Sequence, residues 1–351
     1  MLKVLFAGTP DVAVPALRRL ADDEEHFEVV AVLTRPDAPQ GRGRKLMPSP
    51  VKQAALELGI PVLESDPKEP TFLDELKATG AQAGAVVAYG KILKENVLDA
   101  LPMGWYNLHF SLLPQWRGAA PVQRSIWSGD TLTGATVFRL TKGMDTGPIL
   151  AQSTCEIGAH ETSGDLLSRL ADDGSYLLAS ALTAMAEGRI LMQEQPRGAY
   201  EVAQKITHDD ARIRFDVPVF AIDRQIRACT PEPGAWCMLH PHGAVSMDNV
   251  DNGNDGRDGV NTSVSAGTSV ESDMGDAEPF HVLEARPADV NDPQVPSDLK
   301  PGMLAATKKH VWIGTATAPI ELQQVKAQGK KAMRAADWAR GARLAADAYV
   351  D

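Results

Sequence analysis

The residue types best able to do chemistry in this chain are gathered in residues 105–121, WYNLHFSLLPQWRGAAP. Asn107 and His109 are two apart, so in an extended strand their side chains share one face while Leu108 points to the other. Ser111 and Pro114 then bracket the apolar pair Leu112 and Leu113, and Pro114 fixes the chain locally. A strand is therefore expected to end in a turn whose polar groups aim at one place. An amide donates hydrogen bonds without titrating. An imidazole titrates near neutrality and can donate a hydrogen bond or move a proton. Asp145, further along, can bring a carboxylate to the pair. On these residues alone two readings stay open: a structural strand-end histidine with an asparagine capping a turn, or a proton-transfer site with a hydrogen-bond donor beside it.

Such side chains need a frame. Residues 3–7 (KVLFA) read as a short buried strand ending at Gly8-Thr9-Pro10. A helix over 13–20 follows, with Asp11 as a candidate N-cap, and 27–33 reads as a second strand. This βαβ opening predicts an α/β, Rossmann-like, mostly parallel sheet with helices on both faces. Gly8-Thr9-Pro10 is not the GxGxxG of a dinucleotide site, so a nicotinamide enzyme is poorly supported. Helices are expected over 52–58, closing at Gly59, and over 71–77, with a short strand at 61–63 between them. Residues 83–88 (AGAVVA) read as a central strand, followed by the turn 89–93. In an open α/β sheet ligands sit beyond the carboxyl ends of the strands, which makes that turn a candidate contact. Arg117-Gly118 precedes a helix over 119–127, where free N–H groups favour anions. Strands over 135–140 and 148–156 flank the loop that delivers Asp145, and a helix over 165–187, capped by Thr162 or Ser163, closes a first domain at residue 188.

Residues 189–206 read as a linker into a second domain, 207–351. That domain opens with a helix over 219–229 whose Phe220, Ile222 and Ile226 are expected to face a core. Pro231, Pro233 and Gly234 break the chain before 235–239, and later short strand-like runs at 280–285, 303–307, 310–315 and 320–325, spaced by turns, predict a small OB-like β-barrel. Between them, 248–279 is rich in Asp, Asn, Gly, Ser and Thr and is expected to be a poorly ordered insertion.

The net charge of -11 over 351 residues argues against a nucleic-acid partner only until it is mapped. Eight acidic residues against Arg257 between positions 248 and 280 place 8 minus 1, or -7, of that charge in the insertion. Elsewhere basic patches survive. Residues 35–51, RPDAPQGRGRKLMPSPV, carry Arg35, Arg42, Arg44 and Lys45 among glycines and prolines, which reads as an exposed loop without regular structure. It is either solvated surface or an arm whose cations neutralise phosphates. Lys326, Lys330, Lys331, Arg334, Arg340 and Arg343 give the C-terminal region a second basic face. Cys155, Cys229 and Cys237 form no CxxC pair, which argues against a zinc site or a disulfide framework and suits a reducing compartment. The first residues break too early at Gly8 for a signal peptide, and no apolar run reaches membrane-spanning length, so a cytoplasmic protein is the default expectation.

NLHFSLLPQWRGAAPVQ followed by MDTGPIL (residues 144–150) resembles the signature of the folate-dependent formyltransferases. The resemblance implies a catalytic set of Asn107, His109 and Asp145, with Ser111, Leu112, Leu113 and Pro114 in a folate-contacting turn. It also implies a pterin site near Tyr89, Gly90 and Ile92 and near the loop 141–145. The formyl donor is then 10-formyltetrahydrofolate, with no metal and no covalent nucleophile. GRGRKLMPSPVK resembles a loop carried by the members that act on methionyl-tRNA, which implies that Arg42, Arg44 and Lys45 contact tRNA and that the acceptor is initiator methionyl-tRNA. The second domain resembles theirs up to 328–341, with Thr230-Pro231-Glu232-Pro233-Gly234 standing where the family usually has NPWPG. A monomer without membrane contact is expected.

The chemistry so implied is attack of an amine on a formyl carbon, giving a tetrahedral, oxyanion-bearing species that needs a hydrogen-bond donor. Asn107 supplies one. His109 supplies another or moves the proton. Asp145 is expected to raise the imidazole's pKa and fix its tautomer, through a relay that includes an ordered water. The rivals are a formyltransferase or hydrolase working on a small molecule, against which the basic loop and second domain argue, and a non-catalytic tRNA-binding protein, against which the full Asn107, His109 and Asp145 set argues.

Overall fold

Residues Leu2–Gly8 form β1, and their alternation shows why the sheet is central: Val4 and Phe6 enter one apolar core, Leu5 and Ala7 another on the opposite face. The computed structural model describes residues 1–40, 43–241 and 277–351. These divide into a first unit, 1–207 with 227–231, and a second, 208–226 with 232–351. In the first unit, α1 (Val14–Asp22), β2 (Phe27–Leu33), β3 (Ala38–Gln40), β4 (Lys45–Met47), α2 (Pro50–Glu57), β5 (Val62–Leu63), α3 (Phe72–Ala78), β6 (Ala83–Val87), α4 (Glu95–Leu98) and β7 (Trp105–His109) follow in turn. Then come β8 (Arg117–Gly118), α5 (Pro121–Ser128), β9 (Leu132–Arg139), β10 (Ile149–Glu156), α6 (Ser163–Ala186) and β11 (Val202–Ala203).

The main sheet runs β10-β9-β7-β6-β1-β2-β5. The pairs from β7 through β5 are parallel, and β9 and β10 extend the sheet antiparallel. Leu17, Val51, Val122 and Leu170 of α1, α2, α5 and α6 cover one face, and Phe72, Leu76, Val97 and Leu98 of α3 and α4 cover the other. Helices on both faces and a mostly parallel sheet are the expected frame. Asp11 does not cap α1: it lies in a single turn of 3-10 helix, and among the described residues its carboxylate accepts from the Val12 N–H alone. At α6, Thr162 and Asp165 exchange the reciprocal hydrogen bonds of a capping box.

Two stretches depart from their expected roles. The basic loop is partly regular: β3 and β4 pair antiparallel, which gives an exposed excursion partners for its backbone groups. Its base is fastened by the buried Thr34–Ser49 hydroxyl pair at 2.7 Å and by Lys52, whose Nζ reaches Asp37 at 2.6 Å and Glu64 at 2.9 Å. Residues 189–206, expected as a linker, are hydrogen-bonded into the first unit: Gln193 bridges Ile149, and β11 pairs parallel with β8.

In the second unit, α7 (Val219–Cys229, whose last residues count with the first unit) buries Ile222 and Ile226 and leaves Phe220 55% exposed. Positions two apart on a helix are about 200° apart around its axis, so Phe220 could not share the face of that i, i+4 pair. The strands β12 (Trp236–His240), β13 (Glu278–Pro287), β14 (Leu304–Ala306), β15 (Val311–Ile313), β16 (Ile320–Ala327), β17 (Met333–Arg334) and β18 (Tyr349–Val350), with α8 (Ala335–Ala342), make an antiparallel sheet ordered β14-β15-β16-β13-β12-β18, with β17 beside β16. Met303 bridges to Tyr349 and Leu304 donates to the Ala348 carbonyl, so the last strand returns to the first and nearly closes a barrel. The end of the expected insertion is strand: Glu278 pairs with Leu239. Residues 242–276, where the rest of it falls, lie outside the described residues.

Gly84 of β6 shows how tightly the sheet is packed. A Cβ there would come within 2.0 Å of the Trp105 ring, whose indole N–H donates to the Val97 carbonyl at 2.9 Å. Gly84→Ala is therefore expected to cost about 1–3 kcal/mol through overpacking, read as a lower thermal midpoint. Unchanged stability would mean that Trp105 can step aside.

Candidate active site

β7 carries Tyr106 and Leu108 into the core on one face, and presents Trp105, Asn107 and His109 to the other. Opposite them on β9 stand Phe138, paired with Asn107, and Thr136, paired with His109. Phe138 meets the His109 ring edge to face at 6.3 Å. Asn107 is half-buried, and its side-chain amide has no hydrogen-bond partner among the described residues. His109 is 6% exposed.

Asp145 arrives from outside this strand pair. β9 ends at Arg139, opposite Tyr106, about 10 Å below His109 at roughly 3.3 Å per residue. The loop 140–148 returns along the sheet and sets the Asp145 Oδ2 3.9 Å from His109 Nδ1. That distance is too long for a direct hydrogen bond. The same carboxylate oxygen accepts the Gly118 N–H at 2.8 Å. Arg117-Gly118 was expected to offer free N–H groups to an anion; the anion Gly118 holds is this side chain, and Arg117 is committed to Gln195.

The tautomer is set from the opposite edge of the ring. His109 Nε2 lies 2.9 Å from the Trp116 carbonyl, which can only accept, so Nε2 carries the hydrogen and Nδ1 keeps its lone pair. This corrects the expectation that Asp145 fixes the tautomer; its charge does raise the ring's affinity for a proton, as expected, but does not decide the net shift. Burial of the ring outweighs the carboxylate's charge and holds the imidazole below its ordinary value; Asp145 and the Trp116 carbonyl pull the other way without prevailing.

The turn after β7 is cross-braced. Thr136 Oγ1 donates to the Ser111 carbonyl at 2.6 Å and accepts from the Leu113 N–H at 3.1 Å, while Gln152 Nε2 donates to the Leu113 carbonyl at 2.9 Å. The peptide before Pro114 is cis. Ser111 and Leu113 are buried, and the Ser111 hydroxyl donates to the Gln115 carbonyl, so Leu112 and Pro114 are the turn's half-exposed side chains. In the turn after β6, the Tyr89 ring belongs to the sheet's core, and burial pushes its hydroxyl up to about 12. Gly90 and Ile92 are exposed there, and Arg35 donates to the Gly90 carbonyl at 2.5 Å. On the hairpin, Arg44 and Lys45 are exposed and have no ion pair among the described residues, and Arg42 lies outside them. On the barrel unit, Arg334 and Arg340 are both engaged by Asp337, while Lys326, Lys330 and Lys331 are exposed.

Sequence reasoning gave no role to Trp116, Thr136, Gln152 or Gln195. Trp116 acts through its backbone carbonyl, which any residue has. The others are polar residues that carry no motif.

The ring's titration checks this geometry. Asp145 favours the imidazolium, so Asp145→Asn should lower the His109 pKa further from a starting point already below 6.5. Ring chemical shifts followed by NMR across a pH series would read it; a midpoint that rises in the variant would contradict the arrangement.

Residues 2–182 match the model of a family described as formyl transferase, and 205–343 match that of a formyl transferase C-terminal domain. The chain is 68% identical over 346 residues to methionyl-tRNA formyltransferase of Bifidobacterium adolescentis, covering 98% of each. It is 44% identical over 344 residues to methionyl-tRNA formyltransferase of Mycobacterium avium, covering 98% of this chain and 97% of that one. Among solved structures, an N-formyltransferase from Helicobacter canadensis in complex with folinic acid and dTDP-3-aminofucose shares the fold at a TM-score of 0.57 and 17% identity, over 92% of this chain and 98% of that one. HypX from Aquifex aeolicus in complex with tetrahydrofolic acid does so at 0.57 and 12%, over 96% of this chain and 46% of that one. With matches running along nearly its whole length, the chain belongs to the formyl transferase family.

Proposed function

We propose that the protein moves a formyl group from 10-formyltetrahydrofolate to the α-amino group of initiator methionyl-tRNA. The observation that carries the chemistry is the His109 Nδ1 lone pair, facing the Asp145 carboxylate across 3.9 Å while Nε2–H is held by Trp116. The acceptor is supported by relatives that match along nearly the whole chain and by the exposed Arg44 and Lys45 on the hairpin, which have no ion pair among the described residues.

The substrate amine bonds to the formyl carbon, and the carbonyl oxygen takes up negative charge. The Asn107 amide, half-buried and without a hydrogen-bond partner among the described residues, fits a donor to that oxygen. His109 Nδ1 accepts the amine's proton, and the imidazolium so formed faces Asp145, whose charge stabilises it. The bond from the formyl carbon to the folate nitrogen then breaks, and the proton passes to that nitrogen. A neutral starting imidazole suits this role: burial keeps His109 unprotonated near neutrality, so the base is available. The folate substrate would lie against Leu112 and Pro114 and against Gly90 and Ile92 of the turn after β6, where Tyr89, also expected to contact it, is buried in the core. Arg42, Arg44 and Lys45 would meet tRNA phosphates. No step requires a metal or a covalent nucleophile.

Asn107→Ala, His109→Ala and Asp145→Ala should each cost about 10²–10³ in turnover while folate binding changes little; full turnover by His109→Ala would end this assignment. Arg42→Ala or Lys45→Ala should raise KM for the tRNA and flatten its salt dependence by about one in log–log slope. A slope that does not change would make the hairpin solvated surface. A purified protein that formylates a small amine but not methionyl-tRNA would favour the small-molecule reading.

A further inference from the structure

We propose that residues 193–203 act as a strap that sets the spacing of His109 and Asp145, and that Gln195 is its positioning residue. This rests on the reading of those two side chains as the catalytic pair. Each of the two residues whose oxygens face the His109 ring nitrogens has its backbone in a conformation that residues other than glycine rarely adopt: Asp145 at φ 52° and Trp116 at φ 62°. Such conformations persist only where the surroundings over-determine them. The strap pins both.

Gln195 holds the Asp145 side. It is 9% exposed, too buried to meet a substrate, and both ends of its amide are engaged. Nε2 donates to the carbonyls of Asp145 and Gly147, each at 2.8 Å. Oε1 accepts the Arg117 fork, Nε at 3.0 Å and Nη2 at 2.5 Å. Arg117 is joined to Gly118, whose N–H holds the Asp145 carboxylate. A ring of contacts thus closes from the Asp145 carbonyl through Gln195, Arg117 and Gly118 to the Asp145 side chain.

The far end of the strap holds the Trp116 side. The Glu201 carbonyl accepts the Trp116 N–H at 3.0 Å, and the Ala203 carbonyl accepts the N–H groups of Ala119 and Ala120 at 2.8 and 3.1 Å. Gly118, at φ 123°, lets the strap lie against it; a Cβ there would sit 2.7 Å from the Ala203 carbonyl oxygen. One short segment therefore fixes both the acceptor that orients His109 and the loop that presents Asp145.

Gln195→Glu keeps the size and the Arg117 contact but cannot donate to the two carbonyls, and Gln195→Met keeps the volume without either contact. Each should lower kcat by about 10–100-fold, as misplacement of a catalytic group by about 1 Å does, with KM for both substrates within about twofold. In the Asp145→Asn background either substitution should cost little more, because its effect runs through that carboxylate. Near-UV circular dichroism identifies the folded variant; if Gln195→Glu does not fold, Gln195→Met carries the test. A folded variant with the parent's kcat, or a loss that adds in full to that of Asp145→Asn, would overturn the proposal. His109→Ala and Asp145→Ala serve as separate controls: retained turnover there would refute the catalytic reading itself.

Discussion

The site depends on one hydrogen bond, from His109 Nε2 to the Trp116 carbonyl. A neutral imidazole has one N–H and one lone pair, so committing the N–H to a backbone acceptor decides what the other nitrogen can do. Because the ring is buried, that commitment also orients it, and the lone pair is left toward Asp145. At 3.9 Å the carboxylate and that lone pair face each other without a direct hydrogen bond. Asp145 then matters chiefly once the ring is charged, when a nearby anion stabilises the imidazolium most.

The rest of the first unit can be understood as holding that arrangement still. The sheet is buried on both faces, so β7 cannot slip its register without moving Tyr106 and Leu108 out of one core and Trp105 out of the other. Thr136 and Gln152 brace the turn that follows, tying it to β9 and β10. Buried hydroxyl and amide side chains carry their full value only when every bond is made. Here they are spent on backbone carbonyls and N–H groups of the turn and loop, where small shifts would be felt at the ring.

Charge is partitioned in the same spirit. Most of the chain's net negative charge falls in one acidic stretch, while the hairpin offers exposed cations without partners among the described residues. A phosphate backbone responds to local cations within about a Debye length and not to the sum over a chain. Lys52, by contrast, is a cation used structurally, tying the hairpin's base to Asp37 and to Glu64 just beyond β5.

The alternation of Asn107, Leu108 and His109, the apolar runs of β1, β2 and β6 and the capping residue of α6 were legible in the sequence, because each is a local pattern with a local cause: pleat, burial or an N–H to satisfy. The barrel strands were legible for the same reason, though Phe220 and the short hairpin strands were not, since exposure and pairing depend on neighbours distant in sequence. What only tertiary structure decided was the company His109 keeps. Trp116 contributes a carbonyl common to all residues, Asp145 must return along about 10 Å of sheet, and Gln195 reaches the site from 50 residues beyond Asp145. Even the direction in which the imidazole's affinity for a proton shifts was a tertiary outcome: sequence supplied the carboxylate that raises it, and packing supplied the burial that lowers it more.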